Sequence, residues 1–122
     1  NCTKLSGKLK IPNSVKKIGD YAFYGCSKIE TLELGEGLES IGQKAFYNCY
    51  SLNGSLTITT NSVLTIGEYA FYSLGFNSLT LGQNIESIGQ FAFANCTKIE
   101  SAIKIPDSLK IIEESLFNGC WI

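Results

Sequence analysis

The chain has 122 residues, of which 44% are hydrophobic and 17% charged, and its formal net charge is −1. This length and composition fit one folded domain with a sizeable core better than a disordered segment. The balanced charge argues against a nucleic-acid-binding surface, and no apolar run approaches the roughly 20 residues of a membrane-spanning helix.

A nine-residue signature recurs along the whole chain. It is clearest at residues 41–49, Ile-Gly-Gln-Lys-Ala-Phe-Tyr-Asn-Cys, and related copies begin at Ile18, Ile66, Ile88 and Ile112, at intervals of 23, 25, 22 and 24 residues. A period this regular predicts a solenoid of about five stacked repeats. We expect residues 1–122 to form a single solenoid domain. Because both ends fall inside a repeat, we also expect the chain to be a fragment of a longer array.

Each repeat contains a short segment that reads apolar, polar, apolar. In chain order the segments are Leu9-Lys10-Ile11, Leu32-Glu33-Leu34, Leu56-Thr57-Ile58, Leu79-Thr80-Leu81 and Ile103-Lys104-Ile105. This alternation is typical of a strand with one face in the core. One strand per repeat, always in the same sense, predicts a parallel sheet along the solenoid.

The signature that follows each strand supplies the opposite wall of the coil. A glycine follows the buried isoleucine in four copies, which predicts a close approach that a side chain would hinder. The Ala-Phe pair after it predicts a short helical turn, so the fold class is an α/β solenoid with one strand and one helical turn per repeat of 22–25 residues. The phenylalanines form a predicted aromatic spine: Phe23, Phe46, Phe71, Phe93 and Phe117.

Cysteine occupies one fixed position of the repeat, at Cys2, Cys26, Cys49, Cys96 and Cys120, and Leu74 stands at the remaining copy. A position that accepts leucine is apolar, so we expect buried free thiols that pack as small hydrophobic side chains. The alternatives are a disulfide between neighbouring repeats and a metal site. The metal alternative lacks the CxxC pairs and histidines that such sites use.

Two of these patterns together resemble a known family. Residues 29–34, Ile-Glu-Thr-Leu-Glu-Leu, have the spacing of a leucine-rich repeat. The pattern Ile-Pro-x-Ser-Val/Leu-x-x-Ile, then Gly-x-x-Ala-Phe and a cysteine three residues later, resembles the BspA-like leucine-rich repeats, and residues 11–26 match it almost throughout. The chain departs from this pattern at Leu74 and at Glu113, which replaces the glycine.

The resemblance implies a right-handed curved solenoid from a secreted or cell-surface protein of a bacterium or a parasitic protist. In that family such arrays are associated with adhesion, so the implied partner is a host or extracellular-matrix protein. The chain has no histidine, no Gly-x-Gly-x-x-Gly and no Walker-type loop. We therefore expect no enzyme activity, no cofactor, no metal and no nucleic-acid partner.

Two sets of exposed side chains are candidates for binding. The first points outward from the strands on the predicted concave face and comprises Lys8, Lys10, Thr31, Glu33, Thr57, Thr80 and Lys104. The second is an aromatic stripe beside the signature turns, namely Tyr21, Tyr24, Tyr47, Tyr69 and Tyr72. The alternative for the first set is a plain solvated sheet. For the second, the alternative is a roof over each coil, with the rings inside and the hydroxyls in water.

These observations favour a non-catalytic module that binds a protein partner through an extended repeat face. One alternative is a structural spacer with no ligand of its own, and another is a glycan-binding repeat that uses the tyrosines. An exposed apolar or aromatic patch would favour binding, whereas a uniformly polar surface would favour the spacer.

Overall fold

The computed structural model describes residues 4–59, 64–99, 103, 106–109 and 115–120. Within these residues the chain is built from short strands joined by turns. In chain order they are β1 Gly7–Lys10, β2 Lys17–Ile18, β3 Ile29–Glu33, β4 Ser40–Ile41, β5 Asn53–Ile58, β6 Leu64–Ile66, β7 Gly75–Leu81 and β8 Ile85–Ile88. The odd-numbered strands correspond to the alternating segments, although β1 and β3 end one residue before them. The even-numbered strands end on the signature isoleucine.

All pairings between these strands are parallel. β1 pairs with β3 and β5 with β7, so Leu9 lies opposite Leu32 and Leu56 opposite Leu79. The predicted parallel strand is thereby confirmed in four repeats, although the described strands form two pairs instead of one continuous sheet. The fifth predicted segment, residues 103–105, lies largely outside the described residues.

A second line of strands, β2-β4-β6-β8, forms a four-stranded sheet that the sequence does not reveal. β2 and β4 have only two residues each, one of which is the buried Ile18 or Ile41. Two residues are too few to show an alternating pattern, so the sequence shows a buried isoleucine but no strand. Both lines of strands contribute side chains to the same hydrophobic core.

The predicted helical turn is not found in the described residues, where a run of turns takes its place. In the second signature, the amides of Ala45 and Tyr47 donate within the coil to Gly42 and Lys44 (N···O 3.3 and 3.2 Å). The amides of Lys44 and Phe46 donate instead to carbonyls of the next coil, at 2.8 and 2.9 Å. Lys44 also has a φ of 54°, which is incompatible with a right-handed helix. The bonds between coils therefore take the amides that a helix would need for itself.

The predicted phenylalanine spine is confirmed at the centre of the core. Phe46, Phe71 and Phe93 are completely buried. Neighbouring rings stack in order from Phe23 to Phe117, with centroid distances of 5.2, 5.3, 5.3 and 5.9 Å. The small alanines that precede the buried rings, such as Ala45, are also fully buried, which lets adjacent coils approach closely.

Candidate functional site

The strand face carries an open groove with a volume of about 610 Å³. Its lining includes five of the seven predicted strand-face residues: Lys8, Lys10, Thr31, Glu33 and Thr57. The odd-numbered strands bring these side chains together because alternate residues of a strand point to the same face. Thr80 is exposed on β7 opposite Thr57 but does not line the groove, and Lys104 lies outside the described residues.

The charges of the groove are balanced and accessible to solvent. Glu33 accepts ion pairs from both Lys8 (Nζ···Oε1 3.5 Å) and Lys10 (Nζ···Oε2 3.6 Å). The side chains remain 63%, 68% and 51% exposed for Lys8, Lys10 and Glu33, so the pairs are screened by water and contribute little to stability. A partner can therefore compete for these charges at little cost to the fold.

The predicted tyrosine stripe is a stack of rings that runs from coil to coil. Tyr24, Tyr47 and Tyr72 lie nearly parallel, with centroid distances of 5.4 and 5.3 Å. Tyr21 contacts Tyr24, while Tyr69 contacts both Tyr47 and Tyr72. Only Tyr21 is strongly exposed, at 47%, and the other four are partly buried. Because stacked rings cover one another's faces, the stripe presents mainly ring edges and hydroxyls to solvent.

Lys44 lies among the tyrosines of this stripe. Its Nζ is 5.8, 5.6 and 5.5 Å from the ring centroids of Tyr21, Tyr47 and Tyr69, within the range of cation–π attraction. The sequence contains a signal for this arrangement, because Lys44 occupies the repeat position that is aromatic in three other copies. The stripe therefore includes the positive charge of the Lys44 ammonium group.

The described cysteines follow the expected pattern in part. Cys49, Cys96 and Cys120 are free thiols, and the first two are buried as predicted. Cys26 is disulfide-bonded, so the prediction of a free thiol is wrong at that position. Cysteines occupy the same position in successive repeats. This register also allows a disulfide between neighbouring repeats, which was the alternative to free thiols.

Each of the three free thiols also donates a hydrogen bond to a neighbouring coil. Cys49, Cys96 and Cys120 donate from Sγ to the carbonyls of Phe23, Phe71 and Phe93, at 3.1, 3.3 and 3.0 Å. The acceptor belongs in every case to the preceding coil. The thiol thus satisfies a carbonyl between coils, a role that the spacing alone does not show and that Leu74 cannot fill.

The thiols differ in acidity because their surroundings differ. Burial raises the pKa of Cys49 to about 11. The adjacent Cys120 side chain, together with burial, raises the pKa of Cys96, while the adjacent Cys96 thiol lowers the pKa of the half-buried Cys120. Because the thiolate is the nucleophile, Cys120 is the most reactive of the three.

We expect iodoacetamide to alkylate Cys120 at least about tenfold faster than Cys49 at pH 8, as measured by peptide mass spectrometry. The rate at Cys120 should level off at a lower pH than the rate at Cys49, whose thiolate forms only near pH 11. In denaturant the difference should vanish, since all thiols are then solvated. Equal rates in the native protein would contradict this order.

Over the ranges that the structure describes, no group of three or more cysteine, aspartate or glutamate side chains is placed to hold a metal ion. In the same ranges, no helix has the length and apolar character needed to cross a bilayer.

Comparison with known proteins identifies the repeat. The chain is similar to the crystal structure of a leucine rich cell surface protein from Faecalibacterium prausnitzii, at 19% identity and a TM-score of 0.36 over 80% of this chain. The chain spans 38% of the length of that protein. No curated protein matches the chain. The family model described as BspA type Leucine rich repeat region matches residues 1–122 with six copies, one more than the five signatures. The chain therefore belongs to the BspA-type leucine-rich repeat family.

Proposed function

We propose that this solenoid is a non-catalytic interaction module that binds a protein partner through the groove on its strand face. The observation that carries the proposal is the groove itself, in which side chains from β1, β3 and β5 line one continuous open surface. Repeat proteins commonly bind partners along such a surface, because each coil adds one row of contacts. The groove contains both positively charged lysines and negatively charged glutamates. These charges favour a partner with complementary charges over an apolar one.

Display on a cell surface or secretion is part of this proposal and is supported by membership of the BspA-type family. Adhesion to a host or extracellular-matrix protein is also part of this proposal. The groove offers exposed charges and threonine hydroxyls for such a contact. An extracellular partner would compete with Glu33 for Lys8 and Lys10, which its carboxylates can do because both ion pairs are solvated.

The test is a binding screen with immobilised extracellular-matrix and cell-surface proteins, followed by charge reversal in the groove. We expect Lys8→Glu combined with Lys10→Glu to weaken a detected interaction by about tenfold or more, or about 1.4 kcal/mol, because two attractive charges become repulsive. Affinity is measured by surface plasmon resonance at two salt concentrations, and the salt dependence should decrease in the variant.

The chain offers a matched control in Lys16. This lysine is 70% exposed and pairs with Glu39 at 3.5 Å, a geometry like that of Lys8 and Lys10 but away from the groove. Lys16→Glu should leave the affinity unchanged. An equal loss in the control, or no loss in the groove variant, would refute binding at this face.

A structural spacer is the second candidate function, and one observation favours it. Among the described residues, Tyr21 and Tyr50 are the only strongly exposed large hydrophobic side chains. A surface with so few apolar anchors resembles that of a solvated support, since interaction hot spots favour exposed aromatic residues. A spacer would bind no protein in the screen.

A further inference from the structure

A second cavity lies away from the strand groove, at the turns that follow the cysteine position. The first apolar residue of the next alternating segment lies six positions after Cys26 and seven after Cys49 and Cys96, but only five after Leu74. The residues after Cys49 and Cys96 form tight turns, closed by Leu52 N–H to the Cys49 carbonyl and Ile99 N–H to the Cys96 carbonyl. After Leu74 the chain enters β7 directly at Gly75.

The missing turn leaves a notch between the two coils that flank it. These coils are two strand spacings apart, or about 10 Å. The notch has a volume of about 310 Å³, which is within the range of small-molecule sites. Tyr50 and Ser51 form one wall, Thr97 and Lys98 the other, and Leu74 and Gly75 lie at the base.

Tyr50 is more exposed than any tyrosine of the stripe. It is 67% exposed, and no other ring of the described part of the chain stacks on it. The equivalent positions after Cys26 and Cys96 hold Ser27 and Thr97, whereas Trp121 follows Cys120, so the repeat accepts a small polar residue here but does not require one. An aromatic ring at this position is therefore not needed for packing in every coil.

Besides Leu52, the remaining lining of the notch consists of neutral polar groups and one cation. Asn53, Ser73 and Asn95 add amides and hydroxyls to those of Ser51 and Thr97, although the Asn53 amide already donates to the Ser51 carbonyl at 2.9 Å. Lys98 is the only charged residue in the lining. Amides and hydroxyls can each donate and accept hydrogen bonds, which matches the paired donor and acceptor character of sugar hydroxyls.

We propose that this notch is a saccharide-binding site that prefers an acidic sugar. The apolar C–H face of a sugar ring packs on the exposed ring of Tyr50, while its hydroxyls bond to the amides and hydroxyls of the lining. A carboxylate on the sugar pairs with Lys98. The site is independent of the groove and of its protein partner, because the two cavities share no lining residue.

The test uses three probes in titrations followed by NMR: a hyaluronan hexasaccharide, which contains uronic acid, sialyllactose, which contains sialic acid, and the neutral chitohexaose. We expect at least one acidic probe to bind at least about tenfold more tightly than chitohexaose, with amide shifts at residues 50–53, 73–75 and 95–98. Absence of binding by all three probes at millimolar concentration would overturn the proposal.

Variants then separate the notch from the rest of the surface. Tyr50→Ser introduces the residue found at position 27, so it should keep the native thermal midpoint while affinity falls at least about tenfold. Tyr50→Phe should bind within about twofold of the native protein, and Lys98→Gln should remove the preference for the acidic probe. Tyr21→Ser and the Lys8/Lys10 charge reversal should leave sugar binding unchanged. Native affinity in Tyr50→Ser, or an equal loss in Tyr21→Ser, would overturn the assignment to the notch.

Discussion

Replacement of Phe46 by alanine should lower the free energy of unfolding by about 3–5 kcal/mol, the largest effect that we expect from a single side chain. Phe46 is completely buried and stacks on Phe23 and Phe71, with centroid distances of 5.2 and 5.3 Å. The truncation removes both ring contacts and leaves a cavity that the close-packed coils cannot fill. Urea denaturation followed by circular dichroism measures the loss.

Tyr21→Ala is the control for the loss of an aromatic ring. Tyr21 is 47% exposed and contacts the Tyr24 ring from outside the core. Its truncation should cost about 1 kcal/mol or less, since water replaces much of the lost contact. If Phe46→Ala cost no more than this control, the phenylalanines would not form the spine that holds adjacent coils together.

Gly42→Ala should destabilise the protein by about 1–3 kcal/mol, although only one methyl group is added. A methyl group on Gly42 would lie 2.5 Å from the backbone nitrogen of Asp20 and 2.6 Å from the carbonyl carbon of Gly19. Backbone atoms cannot rotate away as a side chain can, so the coils must separate. The shift would also strain the bond from the Gln43 amide to the Asp20 carboxylate, which is 2.8 Å long.

Gly19→Ala provides a matched comparison in the same signature position. A methyl group on Gly19 would meet no described atom within 4 Å. This variant should therefore be as stable as the native protein to within about 0.5 kcal/mol. Thermal unfolding of both variants measures the contrast, and similar midpoints would show that close approach between coils is not the reason for the glycine.

Much of the fold is predictable because each repeat contains the residues that specify its own strand and its own part of the core. The alternation at Leu56-Thr57-Ile58 predicts a strand, and β5 contains it. The recurrence of phenylalanine predicts a stacked spine, because equivalent side chains of successive coils must lie above one another. The helical turn is the main error. A local Ala-Phe pattern does not show that the amides of Lys44 and Phe46 bond to the next coil.

The candidate surfaces are predictable to a smaller extent. The residues of the strand groove follow from alternation, since Lys8, Lys10 and Glu33 must point away from the core. Their mutual ion pairs depend on how β1 and β3 lie in register, with Lys10 opposite Glu33. The sequence shows that the segment after Leu74 is two residues shorter than those after Cys49 and Cys96. It does not show the notch beside Tyr50, because the walls of the notch come from two coils separated by a third.

The sequence by itself determined the repeat, the odd-numbered strands and the core, because each of these rests on residues within one coil and on a period that stacks them. Only the tertiary structure decided which groups meet across coils. The Cys49 thiol bonds to Phe23, and Lys44 lies among tyrosines of three coils. The contacts of Cys49 with Phe23 and of Lys44 with Tyr21 and Tyr69 join residues more than twenty positions apart, and small differences in coil length set their geometry. That is why the fold is evident from the chain while the notch beside Tyr50 is not.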